Sequence, residues 1–353
     1  MAHRWLPALL ASGLLLAACG GGASTTTQAP AAPATPTATA APAALTKVVV
    51  ATGFQPDVEF APYYVAQAMG YYKAAGLDVT MNYDRDPNLL QDVASGKYTF
   101  AVTGGDSTII GAAAGAQVTY VMAQYQQYPV GAMTLKNGGP HLTSPSQLKG
   151  LKVGISVPGS STDFGLEALL KAGGLTDKDI TKIAIGFTET EALTSHRVDV
   201  AMTYIDNEPV QAAALGFPVN VLPVSKYIGL VSNGVVTSSG LVQNNPTEVA
   251  AFVKATLQGL AYTLQNQNQA FTMSLKAMPT LVDPKQIDIA KQVLTARLQF
   301  QQPPAGHPMG WSDPASWTTT VDFLKSIGAI KTSPDPTSLF TNQFVQSANV
   351  TTP

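Results

Sequence analysis

Two short stretches set one hundred positions apart constrain this chain more than anything else in it. Tyr98-Thr99-Phe100-Ala101-Val102-Thr103-Gly104-Gly105-Asp106 is answered by Val198-Asp199-Val200-Ala201-Met202-Thr203-Tyr204-Ile205-Asp206. The match extends backwards, pairing Val93 with Leu193, Ser95 with Ser195 and Lys97 with Arg197. Each copy reads as a helix end, a basic turn, a short apolar strand and a loop closing on an Asp placed to cap the next helix. Solenoid units recur every ~20–50 residues, so this offset points elsewhere. It predicts two similar α/β lobes, each presenting a strand-end loop of the kind that holds ligands in open α/β sheets. The expected molecule is a two-lobed clamp whose loops face each other across a cleft.

The N-terminus speaks to location. His3 and Arg4 precede an apolar run, residues 6–16, that ends in Leu16-Ala17-Ala18-Cys19. The run is too short to span a bilayer permanently and has the flanks of a signal peptide. Leu-Ala-Ala-Cys resembles the lipobox of bacterial lipoproteins, in which the cysteine is lipidated and becomes the mature N-terminus. Cys19 is the sole cysteine, so neither an internal disulfide nor a cysteine-based metal cluster can form. Residues 20–44 are dominated by Gly, Ala, Ser, Thr and Pro without a charge, a composition that favours an extended tether over a packed core. The expected division is a signal peptide at 1–18, a lipid-anchored linker at 19–46, and a body held on the extracytoplasmic side of a membrane.

That body of ~310 residues exceeds what one simple core holds, which again favours two lobes. Residues 47–130 and 234–353 are assigned to the first, 131–233 to the second. Charged residues make up only 12% of the chain and its formal net charge is -2. No basic stripe is present, so nucleic acid is not an expected partner. After Cys19 no apolar run is long enough for a transmembrane helix.

In the first lobe, strands are predicted at 47–52, 77–83, 100–103 and 118–123, with helices at 62–69, 71–75 and 87–95 between them. Asp106 is read as the N-cap of a further helix over 107–114. This alternation implies a parallel sheet. Residues 124–135 read as an extended crossover. The second lobe shows a strand at 151–155, a helix at 164–172 closed by Gly173-Gly174, a helix at 188–197 and the strand 198–203. Residues 229–237 read as the return crossover. Asn245, Pro246 and Glu248 then form a helix start, followed by an apolar face of Val249, Phe252, Val253, Thr256, Leu257 and Leu260.

Ala61-Pro62-Tyr63-Tyr64-Val65-Ala66, Gly70-Tyr71-Tyr72 and Gly76-Leu77-Asp78-Val79 together resemble the opening of substrate-binding proteins of ABC importers. The nearest group is the NMT1/THI5-like one, which includes thiamin-pyrimidine binders, riboflavin-binding lipoproteins and a fungal pyrimidine synthase. Gly96-Lys97-Tyr98-Thr99-Phe100-Ala101 fits its "G-basic-x-D-F" segment with Thr99 in place of Asp. Gly310-Trp311-Ser312-Asp313, Trp317 and Asp322-Phe323-Leu324 before Gly328 match its later part. The resemblance covers residues 47–330. It implies a periplasmic-binding-protein-like α/β fold of type II, with two parallel or mixed sheets, flanking helices and a hinge. It also implies a monomer that delivers a small molecule to an ABC permease.

Four loops are expected to converge: 53–60, 104–108, 156–163 and 204–208. Their charges are Asp57, Glu59, Asp106, Asp163, Asp206 and Glu208, with no Lys or Arg among them. Carboxylates suit a ligand rich in N–H and O–H donors rather than a sulfonate or phosphate. Phe54, Phe60, Tyr63, Tyr64, Tyr83 and Tyr204 are candidate flat faces for a ring. Ser107, Ser160, Ser161 and Asn207 are candidate polar contacts at helix starts. The inventory describes an aromatic nitrogen heterocycle. By resemblance that is riboflavin or a thiamin pyrimidine precursor. Glu59-Phe60 replaces the Asn-His-type pair of the pyrimidine group, which tilts the reading towards riboflavin.

The fungal relative is an enzyme whose chemistry is iron-dependent and needs a cysteine-rich segment and a site histidine. Here that segment is absent, and His3, His141, His196 and His307 lack metal-ligand spacing. No catalytic residue, metal or cofactor is therefore expected. A tethered ligand sensor would use the same clamp.

Overall fold

The structure, a computed structural model, describes residues 44–350. The expected signal peptide, Cys19 and most of the tether lie outside them. The strands are β1 (Thr46–Ala51), β2 (Leu77–Asn82), β3 (Phe100–Gly104), β4 (Val118–Ala123), β5 (Val130–Leu135), β6 (Lys152–Ile155), β7 (Thr181–Ala184), β8 (Val200–Tyr204), β9 (Val219–Pro223) and β10 (Asn233–Ser238). They form two sheets, ordered β2-β1-β3-β10-β4 and β7-β6-β8-β5-β9. Both sheets are mixed. β1 pairs in parallel with β2 and β3, and β6 with β7 and β8. The fourth strand of each runs antiparallel to both neighbours, β10 in the first sheet and β5 in the second.

Each antiparallel strand has just crossed from the other lobe, which corrects the sequence reading of 124–135 and 229–237 as crossovers. Only residues 124–129 and 224–232 connect the lobes. The rest of each segment is an inserted strand, because a chain buried this deeply must pair its backbone groups and a sheet supplies the partners. Val130, Ala132 and Met133 of β5 and Val235 and Val236 of β10 are essentially fully buried.

The repeat is reproduced hydrogen bond by hydrogen bond. The N–H groups of Lys97 and Tyr98 reach the Asp92 carbonyl, and those of Arg197 and Val198 reach the Ala192 carbonyl. Gly96 turns the first copy at φ 83°, and His196 stands at the matching place with φ 55°. A left-handed conformation is free for glycine and costs other residues about 1 kcal/mol. His196→Gly is therefore expected to raise stability by about 0.5–1 kcal/mol, read as a higher urea midpoint with unchanged slope.

The chain after β10 packs back on the first sheet. Asn245 caps Pro246–Gln265, accepting the Glu248 N–H at 3.4 Å. The expected apolar face is buried, with Phe252 stacked on Phe100 of β3 at 4.0 Å and on Tyr72 at 5.5 Å. A later helix, Pro284–Phe300, carries Arg297 in its last turn. Among the described residues no helix is long and apolar enough to cross a membrane.

Candidate ligand-binding site

A cleft of about 330 Å³ opens where the C-terminal ends of the parallel strands of both sheets meet. From the first sheet come Phe54, Glu59 and Phe60 after β1, Asp86 and Leu89 after β2, and Ser107 after β3. The second sheet adds Ser160 and Ser161 after β6, Phe187 and Glu189 after β7, and Tyr204, Asn207 and Glu208 at and after β8. Asn233, the first residue of β10, and Arg297 complete the wall.

The loop after β1 is held by Asp57, whose carboxylate accepts the Glu59 N–H at 2.8 Å and caps the 3-10 turn Val58–Phe60. This turn drives Glu59 and Phe60 inward. Phe60 lies against Tyr63, Tyr64 and Tyr83, each with ring centroids 6.4 Å away. Tyr63 and Tyr83 thus back the cleft without lining it. The Tyr63 hydroxyl donates to Gln124, and that of Tyr83 to Tyr64.

The absence of Lys and Arg from the four loops does not carry over to the site. Arg297 Nη1 lies 3.0 Å from Asp57 Oδ1 and 3.1 Å from Glu59 Oε2, and its Nε lies 3.5 Å from Asp206 Oδ2. The cation arrives from a helix remote in sequence, which is why a count over the four loops missed it. Its buried charge raises the cost of leaving any of these carboxylates neutral, and burial works in the opposite sense. Burial prevails for Glu59, whose carboxyl is raised above its ordinary value, and for Asp206, which rises to about 6. Asp57 itself lines a neighbouring hollow of about 300 Å³ rather than the cleft.

Three other expected contacts sit behind the wall. Asp206 is fully buried and receives the Tyr125 hydroxyl at 3.1 Å. Asp163 pairs with Lys182 at 3.1 Å and accepts the Gly159 N–H, so it serves the second lobe's own loop. Asp106 is not an N-cap. The helix begins two residues earlier than expected, as Gly105–Ala113 with Gly104 in the cap position, and Asp106 turns inward to accept from Ser107 and from the Tyr128 hydroxyl.

Phe187 and Arg85 are new. Phe187 is 55% exposed, yet its ring centroid lies 6.1 Å from that of Phe54 across the cleft mouth. The Arg85 guanidinium lies over both rings, 4.5 Å from Phe187 and 5.3 Å from Phe54, in cation–π range. Glu189, also unforeseen, receives the Ser156 hydroxyl at 3.2 Å.

Glu208 accepts from the Thr203 hydroxyl, the Tyr204 N–H and the Asn207 amide. Burial, with Glu189 adding repulsion, nevertheless pushes its carboxyl up to about 7. The folded state holds this proton more tightly than the unfolded chain does. Its contribution to stability is therefore complete below the ordinary value of 4.5 and is lost as pH rises through about 7. From about pH 5 to about pH 8 the wild-type protein should lose about 1–3 kcal/mol relative to Glu208→Gln, measured as converging urea midpoints.

Two mixed α/β sheets joined by two short crossovers, with a polar and aromatic cleft between the strand ends, define the periplasmic-binding-protein fold. The NMT1/THI5-like family model matches residues 57–270, and the chain belongs to that family. It is 37% identical to the riboflavin-binding protein RibY of Chloroflexus aurantiacus over 94% of this chain and 95% of that protein. It is 25% identical to the formylaminopyrimidine-binding protein of Halalkalibacterium halodurans, over 80% and 85% of the two chains. Other relatives are named as pyrimidine phosphate synthases. The periplasmic aliphatic sulphonate binding protein SsuA from Escherichia coli shares the fold, with a TM-score of 0.67 at 16% identity over 84% of this chain and 92% of that one.

Proposed function

We propose that this chain is an extracytoplasmic, lipid-anchored binding protein of an ABC importer, and that its cleft captures riboflavin. The observation that carries the reading is the pairing of two opposed phenylalanines, Phe54 and Phe187, at the mouth of a cleft walled by hydroxyls and carboxylates. Aromatic faces suit an isoalloxazine ring, and Glu59, Glu189 and Glu208 are placed to accept from its ring N–H and ribityl hydroxyls. The similarity to RibY supports the same cargo. In this proposal the lobe built on the first sheet closes against the lobe built on the second about the crossovers 124–129 and 224–232, and the loaded clamp docks on a membrane permease. Differential affinity for the closed form drives the closure. The anchor at Cys19 belongs to the proposal on sequence grounds alone.

The synthase reading finds less support, since His141, His196 and His307 are not among the residues lining the cleft. The test is a titration of the purified body, from about residue 45 onward, with riboflavin. Quenched flavin fluorescence at one-to-one stoichiometry is the expected result. Silence to flavin with thermal stabilisation by formylaminopyrimidine would move the cargo to the thiamin branch.

A further inference from the structure

The two lobes bring the starts of two helices together, and one carboxylate lies at their junction. Asp106 is 1% exposed and belongs to the first turn of Gly105–Ala113. Its Oδ1 accepts the Ser107 N–H at 2.6 Å and lies 3.3 Å from the Ser107 hydroxyl. Its Oδ2 accepts the Tyr128 hydroxyl at 2.8 Å, and that hydroxyl lies 2.9 Å from the carbonyl of Ser161, the first residue of Ser161–Ala172. A Cβ added to Gly104 would strike Asp106 Oδ1 and touch Ser161 Oγ at 3.3 Å, so carboxylate and second helix meet at one point. Neither helix is capped by its own N-cap side chain. Gly104 has none, and the Ser160 hydroxyl turns back to the Val157 carbonyl at 2.7 Å.

Aligned peptide dipoles leave partial positive charge at such helix starts, where an anion is favoured. Here the chain itself fills that place with a carboxyl, which accepts the donors at the junction and which burial raises above its ordinary value. Ser107 and Ser161 line the cleft beside it, so a ligand's phosphate or sulfonate entering there would meet donors already turned to Asp106 and a carboxyl acceptor in the place it would take. Of the nearby cations, Arg297 is engaged through Nη1 by Asp57 and Glu59, and Arg85 stands over the Phe54 and Phe187 rings at the mouth, away from the junction.

We propose that Asp106 sets the cleft's preference for uncharged over anionic ligands, its carboxylate occupying the junction that would otherwise receive a phosphate or sulfonate group. This rests on the cleft being the ligand site, and it holds whichever neutral ring the cleft takes.

The test is calorimetric titration of wild type, Asp106→Asn and Asp106→Gly with inorganic phosphate and methanesulfonate at constant ionic strength. Wild type should show no saturable uptake. Asp106→Gly, which empties the junction, should bind at least one anion more tightly than wild type by about tenfold or more. Asp106→Asn keeps the side-chain volume and decides the matter if the glycine variant does not fold, as judged by circular dichroism. In parallel, wild type should prefer riboflavin to its 5′-phosphate, and Asp106→Asn should narrow that ratio. Saturable anion binding by wild type, or folded variants no better than wild type, would overturn the proposal. Wild type that binds neither flavin would instead count against the riboflavin reading and leave the anion comparison intact.

Discussion

Arg297→Ala is expected to lower native stability by about 3–5 kcal/mol, the cost of removing one partner from a buried ionic cluster. The Arg297 side chain is 3% exposed and serves three carboxylates, of which Asp206 is fully buried and Glu59 nearly so. Without the cation these groups must take up protons or separate. Either response also loosens the seam between lobes, because Asp206 follows β8 whereas Asp57 and Glu59 follow β1. Arg297→Met should cost as much, since it restores volume and no charge. Combining Arg297→Met with Asp57→Asn, Glu59→Gln and Asp206→Asn should recover much of the loss, because contacting residues do not act additively. Urea unfolding at neutral pH measures all three. An alanine variant within about 1 kcal/mol of wild type would show that the cluster is not held by charge.

Phe54→Ala and Phe187→Ala should each weaken riboflavin binding by about 10- to 100-fold, the scale of an aromatic hot spot. Most of the change should appear in the dissociation rate, as expected for side chains that close over a bound ligand. The two rings touch across the mouth, so the double variant should fall short of the product of the singles. Phe187 offers an internal control. It is more than half exposed, so its removal should leave the unfolding midpoint near that of wild type while flavin escapes faster. Stopped-flow recovery of flavin fluorescence resolves the two effects, and an unchanged escape rate in Phe187→Ala would remove the ring from the site.

The fold was legible in the sequence because its strongest signal was repeated. A helix end, a left-handed turn and an apolar strand occur twice at constant spacing, and both copies became the third strand of a sheet, β3 and β8. The lining of the candidate cleft was legible where it depends on those strands and their partners β1 and β6. Phe54, Glu59, Phe60, Ser107, Ser160, Ser161, Tyr204, Asn207 and Glu208 all line the cleft.

What escaped notice has physical causes. β7 is a short edge strand whose four residues are half-buried or exposed, so it lacks an alternating pattern; the loop carrying Phe187 went unread, and Glu189, although within the helix expected at 188–197, was not linked to the cleft. Arg297 sits in the last turn of a helix, where a cation ordinarily offsets the helix dipole. Nothing local distinguishes it from that role. Asn233 lay within an apparent crossover, and only the pairing of β10 with β3 and β4 places it at the centre of the molecule.

Asn233 also has a mechanical meaning. Its carbonyl accepts the N–H groups of Gln124 and Tyr125 on the outgoing connection. Its side chain donates to Glu59 at 3.2 Å and lies 3.5 Å from the Tyr204 hydroxyl. In the proposed clamp, the pivot and the cargo's seat would therefore share one residue. A lever loaded beside its fulcrum turns a small displacement at the load into a large sweep at the far tips of its arms. If the proposed clamp docks on a permease by those tips, a shift of a fraction of an ångström at Glu59 or Tyr204 would be broadcast as a change in the spacing of the two lobes' outer ends.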